Sequence, residues 1–222
     1  MQALLELKKL SFSTRAGTLV SEASIAYAPG RATALTGPSG SGKSTVLKLS
    51  AGLLTPDSGQ VFYRGRDLSL MSRAENLEFR RESAFVFQDT ALWSNQSLEQ
   101  NLNLPLQLHF PQMSHRERLF RIKETLAEVG YTRTLDLRPA ALSAGEQKLI
   151  GFARALLCRP SLLFLDEWTA SLDDDAARRL VRVVEDFKNR GNTILFVSHD
   201  LSLIQSLADC VIMIKSGRVT TE

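Results

Sequence analysis

The stretch Gly37–Thr45, "GPSGSGKST", limits the folds open to this chain more than any other. It matches G-x-x-x-x-G-K-[ST], with Gly37, Gly42, Lys43 and Ser44 at the fixed positions. The apolar run "RATALT" precedes it and "KSTVLKLSAGLL" follows, so the loop joins a short strand to a helix. Glycines let backbone N–H groups close around phosphate oxygens with no Cβ in the way. Pro38, Ser39, Gly40, Ser41 and Thr45 complete the candidate nucleotide-binding loop. Lys43 is placed to neutralise β- and γ-phosphates, and the Ser44 hydroxyl to reach Mg²⁺. A strand–loop–helix unit of this kind belongs to an α/β fold, a mostly parallel sheet flanked by helices.

Other segments point the same way. "SLLFLDE" and "TILFVSHD" are short apolar runs that end in polar groups, the pattern of buried parallel strands. "LDDDAARRLV" opens a helix that ends near Gly191. "ALLELKKLSFST" and "LVSEASIAYAP", hinged at Gly17, predict an N-terminal antiparallel hairpin. "GQVFYRGRDL" predicts another, with Gly65 near its tip, and "CVIMIKSGRVTTE" a final strand and hairpin. A strand "SAFVFQ" ends at Gln88. From Asp89 to Leu157 helix signals replace strand signals. Ser114 caps a helix through Val129 that Gly130 stops, and Pro105, Pro111 and Pro139 divide the region. The expected organisation is a single domain over 1–222. Residues 1–88 and 158–222 form a RecA-like α/β core with N-terminal β elements, and 89–157 form an inserted helical lobe.

Composition removes several function classes. With 44% hydrophobic and 23% charged residues among 222, the chain reads as an ordinary globular protein. No apolar run approaches the roughly 20 residues of a membrane-spanning helix. The start "MQALLELKKLSFS" lacks the parts of a signal peptide, so the expected location is cytoplasmic. A net charge of +3 with interspersed acids, as in "RRLVRVVEDFKNR", argues against a nucleic-acid partner. Cys158 and Cys210 sit in apolar settings without C-x-x-C spacing and are expected to be buried, reduced thiols. His109, His115 and His199 are too dispersed for zinc, so no metal is expected to be held by protein alone.

Two further places carry chemistry. Asp166 and Glu167 stand at the C-terminal end of the "LLFLD" strand, where open α/β sheets bind ligands. Asp166 suits Mg²⁺, and Glu167 suits the attacking water. "LSAGEQKLIGFARALL", from Leu142, sets a Ser and a Gly at the mouth of an apolar helix, whose free N–H groups favour an anion.

Taken in order, these motifs resemble the nucleotide-binding subunit of an ATP-binding-cassette (ABC) transporter, and the likeness covers nearly the whole chain. The motifs are the phosphate loop, Gln88 after a strand, "LSAGE" at Leu142–Glu146, Asp166-Glu167, "SLD" at Ser171–Asp173 and the histidine of "VSHD", His199. The resemblance implies ATP hydrolysis with Mg²⁺, in which Glu167 activates water and Lys43 and His199 stabilise the γ-phosphate. Gln88 senses Mg²⁺ and water and couples the site to the lobe, and Phe12 stacks on adenine. Asp173 links two active sites. Ser143 and Gly145 contact the nucleotide held by a second copy, so the partners implied are the chain itself or a homologous ATPase subunit. An integral membrane permease subunit is implied as well, which places the chain peripherally on the cytoplasmic side of the inner membrane.

Two motifs depart from the family pattern. "LSGGQ" is "LSAGE", with Ala144 for a glycine, which is tolerable where φ is negative. "DEP" is "DEW", which adds the ring of Trp168 near the expected dimer seam. After Gln88, Leu92, Trp93 and Leu98 suggest an apolar surface for an amphipathic helix of the permease. The "ALW…N…PL" pattern there resembles ATPases of MCE-type lipid transport systems, and less closely those of lipoprotein release. It favours lipid or lipophilic cargo. A regulatory domain after the last hairpin is not expected. The alternative reading is a non-transport ABC ATPase coupled to a membrane protein in cell-envelope or division machinery.

Overall fold

Alternation along short apolar strands builds two cores on one sheet. The computed structural model describes residues 3–170 and 172–220. The strands Leu5–Thr14 (β1), Gly17–Tyr27 (β2), Ser58–Tyr63 (β4) and Arg66–Asp67 (β5) form an antiparallel sheet in the order β2-β1-β4-β5. Between β2 and β4 come Ala32–Thr36 (β3) and the helix Lys43–Ser50 (α1). A second sheet has the order β10-β9-β3-β8-β7-β6, where β6 is Ser83–Val86, β7 Leu162–Asp166, β8 Thr193–Val197, β9 Cys210–Lys215 and β10 Arg218–Thr220. Five of its strands run parallel, and β10 closes the edge antiparallel to β9. This is the mixed α/β architecture, with an N-terminal antiparallel sheet, that the motif order predicts.

Side chains of β7 and β8 choose a core by parity. Leu163, Leu165, Ile194 and Phe196 join one cluster, which the helices Leu98–His109 (α3), His115–Val129 (α4), Ala144–Leu156 (α5) and Asp174–Asn189 (α6) complete. Leu162, Phe164, Leu195 and Val197 point to the other, shared with β1, β2, β4 and α1. A strand buried on both faces reads as a continuous apolar run, which is why "LLFL" and "TILFV" show no alternation. Both ends of α4 match their sequence signals. Ser114 and Glu117 form a capping box, and Gly130 ends the helix at φ 82°.

Several local expectations fail for identifiable reasons. Pro105 does not break the chain but lies inside α3, where Leu102 and Leu106 on either side are fully buried. Their packing outweighs the lost backbone hydrogen bond. The helix Arg73–Glu82 (α2) was not expected, although "SRAE" at Ser72–Glu75 is a capping box in sequence and in structure. Phe79 of α2 packs on Tyr63 with ring centroids 4.9 Å apart, and Arg80 donates to Ala51 O and Gly52 O at 2.7 Å each, closing the end of α1. Cys158 is half-buried and Cys210 is exposed. Cys210 opens β9, beside the sheet edge, where its neighbour Val211 is also left exposed beyond the cover of the helices.

Candidate nucleotide site

The phosphate loop is organised before any ligand is considered. It leaves β3 at Gly37 and enters α1 at Lys43. Gly37 and Gly42 have φ of 135° and 100°, and a Cβ on them would strike Ile214 O and Leu19 O respectively. The loop is therefore wedged between β9 and β2 and accepts only glycine at these points. Lys43, 5% exposed, donates to Gly37 O at 2.9 Å and Pro38 O at 2.8 Å. One ammonium proton is left for another acceptor. α1 starts at Gly42 with no side-chain cap, so its first-turn N–H groups stay available to an anion. Ser41 Oγ is buried with no partner among the described residues. A buried hydroxyl left without a partner in a loop of this sequence fits a phosphate.

The carboxylates arrive from β7. Asp166 is 1% exposed, and Ser44 Oγ donates to its Oδ1 at 2.8 Å. Burial pushes its carboxyl above the usual range, against the pull of the Ser44 hydroxyl, Lys48 and Lys43. The basic groups nearby were not foreseen from the strand's apolar sequence. A hydroxyl and a carboxylate oxygen side by side are hard donors suited to Mg²⁺, so the residues present fit that ion.

Glu167 follows the strand with φ 46°, a left-handed conformation that costs a side-chain-bearing residue about 1–3 kcal/mol. Its N–H donates to Val197 O at 3.1 Å, and its carbonyl accepts from Ala170 N at 3.2 Å and Lys148 Nζ at 3.3 Å. Both carboxylate oxygens have partners: Gln88 Nε2 donates to Oε2 at 3.2 Å, and His199 Nε2 lies 3.1 Å from Oε1. Three residues drawn from separate motifs thus meet at one carboxylate.

Other expected positions are arranged less directly. Phe12 is half-buried and pairs with Val20 across the β1–β2 hairpin, beside Leu19, whose carbonyl abuts Gly42. Ser143 caps α5: Ser143 Oγ accepts from Glu146 N at 3.2 Å, and Glu146 Oε2 accepts from Ser143 N at 2.9 Å. Ser143 is exposed, and among the described residues no hydrogen bond joins Ser143 or Gly145 to the phosphate loop. Ala144 is the first residue of α5 and has no positive φ, so its methyl is unstrained. Asp173 caps α6 by accepting from Ala176 N at 2.8 Å, while Ser171 lies outside the described residues.

Trp168 is not at a surface seam. It is 1% exposed and meets Phe196 edge-on with centroids 5.6 Å apart. The left-handed turn at Glu167 delivers the following side chain inward, onto β8.

The apolar surface after Gln88 also differs in membership. Leu98 is fully buried as the first residue of α3, and Leu92 packs inward. Trp93, Leu53, Leu104 and Leu108 are exposed, and with Phe87 they line a groove of about 330 Å³. Asn101, which the sequence reading passed over, is fully buried and ties down the turn before α3. Its side chain accepts from Trp93 N at 2.8 Å and donates to Ser97 O at 2.9 Å. A lone Asn inside a helix gives no sequence signal of this.

The sequence and the fold are matched by known proteins. The ABC transporter family profile covers residues 20–170. The chain belongs to the ABC transporter family. The methionine import ATP-binding protein MetN of Mesorhizobium japonicum is 35% identical over 220 residues, 99% of this chain and 59% of that protein. MetN of Rhizobium johnstonii is 37% identical over 187 residues, 84% of this chain and 51% of that protein. This ABC chain therefore spans about half to three-fifths of the length of these curated relatives. The ATP-binding cassette MJ0796, solved as a dimer in a post-hydrolysis state with ADP and Pi, superposes with a TM-score of 0.90 at 27% identity. That match covers 98% of this chain and 97% of MJ0796. CbiO1 of Clostridium perfringens, part of an ABC transporter complex, superposes with a TM-score of 0.79 at 28% identity, over 100% of this chain and 88% of that one. The cassette fold is thus present from end to end of the described residues.

Proposed function

We propose that this chain is the ATP-hydrolysing subunit of an ABC transporter, closing on ATP as a two-chain sandwich that drives a membrane permease. The observation that carries the reading is the convergence of Gln88 and His199 on Glu167, beside the Ser44–Asp166 pair and the loop with Lys43. In this reading the loop N–H groups, Ser41 and Lys43 bind the phosphates, and Phe12 receives the adenine. Ser44 and Asp166, with Gln88, hold Mg²⁺, which when bound supplies charge neutralisation across the β- and γ-phosphates. Glu167 takes the proton of the attacking water, and His199 stabilises charge developing on the γ-phosphate. Residues 1–88 and 158–222 act as the catalytic core, and 89–157 act as the lobe that carries its motion outward.

Ser143 and Gly145 contribute to the nucleotide of a second copy. The exposure of Ser143, the partial exposure of Gly145 and the dimeric form of MJ0796 support this. Among the described residues no helix is long and apolar enough to cross a membrane. In this reading a membrane permease recruits the chain to the cytoplasmic face, its coupling helix seated in the groove of Trp93, Leu104 and Leu108. For cargo, the relatives named for methionine import favour a small solute of that kind. The "ALW…N…PL" likeness to lipid systems has no support among these relatives. Phosphate release from Mg·ATP by the purified chain and by Lys43→Ala tests the reading. Turnover in the wild type, with loss of nucleotide binding in the variant, is expected. No phosphate release by the wild type contradicts it.

A further inference from the structure

The left-handed backbone of Glu167 is held from two different parts of the molecule. Its N–H is bound by β8, in the sheet, through Val197 O. Its carbonyl is bound by Ala170 N and by Lys148 Nζ, and Lys148 belongs to α5, the helix that Ser143 caps. Lys148 stands about one and a half turns beyond Ser143. The same helix grips the segment after Gln88. Arg154 donates to Ala91 O at 2.9 Å and Thr90 O at 3.2 Å. Gly151 allows the close approach, since a Cβ there would sit 3.3 Å from Thr90 O. α5 is therefore tied to residues 90–91, and among the described residues Lys148 is its hydrogen-bonding link to Glu167. Burial weakens the Lys148 charge, and the carboxylates of Glu167 and Asp89 restore it in part.

We propose that Lys148 is a positioning residue that couples α5 to the Glu167 of its own chain. The "LSAGE" end of α5, its signature end, reads the nucleotide bound mainly by a second copy, whereas Glu167 works on the chain's own. Lys148 then relays closure at one site to the water-activating carboxylate at the other. When α5 withdraws, the Glu167 carbonyl loses one of its donors and its strained backbone relaxes. The coupling rests on the ATPase reading above.

Steady-state kinetics of Lys148→Met and Lys148→Arg test it, with equilibrium ATP binding and ATP-driven dimerisation measured in the Glu167→Gln background. Lys148→Met is expected to lower kcat about tenfold or more, as small misplacement of a reacting group does. KM, ATP binding and dimerisation should stay near wild type, and Lys148→Arg should restore most of kcat. A purely structural role would lower binding, dimerisation and thermal midpoint together. Lys148→Gln is read in the same way if the methionine variant fails to fold. Wild-type kcat in Lys148→Met, joint loss of turnover and dimerisation, or an arginine variant no better than methionine overturns the proposal. Where the wild type turns over, Glu167→Gln does not and Lys148→Met is normal, only the coupling fails. Where the wild type itself releases no phosphate, the ATPase reading fails.

Discussion

The phosphate loop and the signature helix both open a helix toward an anion, yet they are built in opposite ways. The loop is finished within one chain. Gly37 and Gly42 are wedged against β9 and β2, Lys43 is folded over two loop carbonyls, and Ser44 is bonded to Asp166. The start of α5 is stabilised but exposed. Its capping box and the 3.0 Å Arg133–Glu146 pair hold the helix end in shape, and neither brings it to the chain's own site. A binding element kept rigid and solvent-facing is suited to a partner outside the chain, while one wedged into the fold with its donors left open is suited to hold its ligand unaided. Glu167 lies between the two, bonded to both the sheet and α5.

The largest expected effect falls on the carboxylate between the two elements. Glu167→Gln should keep ATP binding and lower turnover about 10²- to 10⁴-fold, as for loss of a general base. Near-normal phosphate release would remove Glu167 from its role. Next, Gly145→Asp sets a carboxylate at the exposed helix start. It should abolish ATP-driven association while a single chain still binds nucleotide, and equal loss of both would erase the distinction between the two elements.

Trp168 separates packing from partner contact. Trp168→Ala should cost about 3–5 kcal/mol in denaturant unfolding, the range for a buried large-to-small change. Trp168→Phe should cost much less and leave dimerisation unchanged. A dimerisation defect in the phenylalanine variant would return this ring to the interface. Thiol labelling checks the same surface from the sheet edge. Cys210 should react readily, whereas Cys158, whose thiol burial pushes up to about 11, should react slowly at neutral pH.

The smallest effect concerns Glu146. The Ser143 N–H, then Arg133, holds its carboxyl below the ordinary glutamate range. A depressed folded value means the contribution is complete above about pH 5 and fades as pH falls through the lowered value. Glu146→Gln preserves the capping box and removes the charge pair, so it should cost under about 1 kcal/mol and flatten that acid dependence.

Much of this was legible in the sequence where local chemistry decides the outcome. The phosphate loop, the Ser114 start and Gly130 stop of α4, and the buried runs of β7 and β8 depend on nearby residues. Motif order, through the family resemblance, assigned Gln88, Glu167 and His199 to one site, whereas their meeting at the Glu167 carboxylate is seen only in the fold. Tertiary choices were not legible. "LW…L" does not say that Leu98 turns inward while Trp93 stays out, because that depends on the phase of α3 against the core. Nothing before Trp168 signals the left-handed turn that buries it. Pro105 is tolerated because of leucines whose burial only the fold reveals. The α2 helix is different, since its "SRAE" box was present to be read.

The central claim is that the signature end of α5 is completed by a second chain. Sedimentation equilibrium of the Glu167→Gln protein, with and without Mg·ATP, tests it most directly. The account predicts a monomer without nucleotide and a dimer with it, lost again on adding Gly145→Asp. A monomer under both conditions, or a dimer indifferent to ATP and to Gly145, would contradict it.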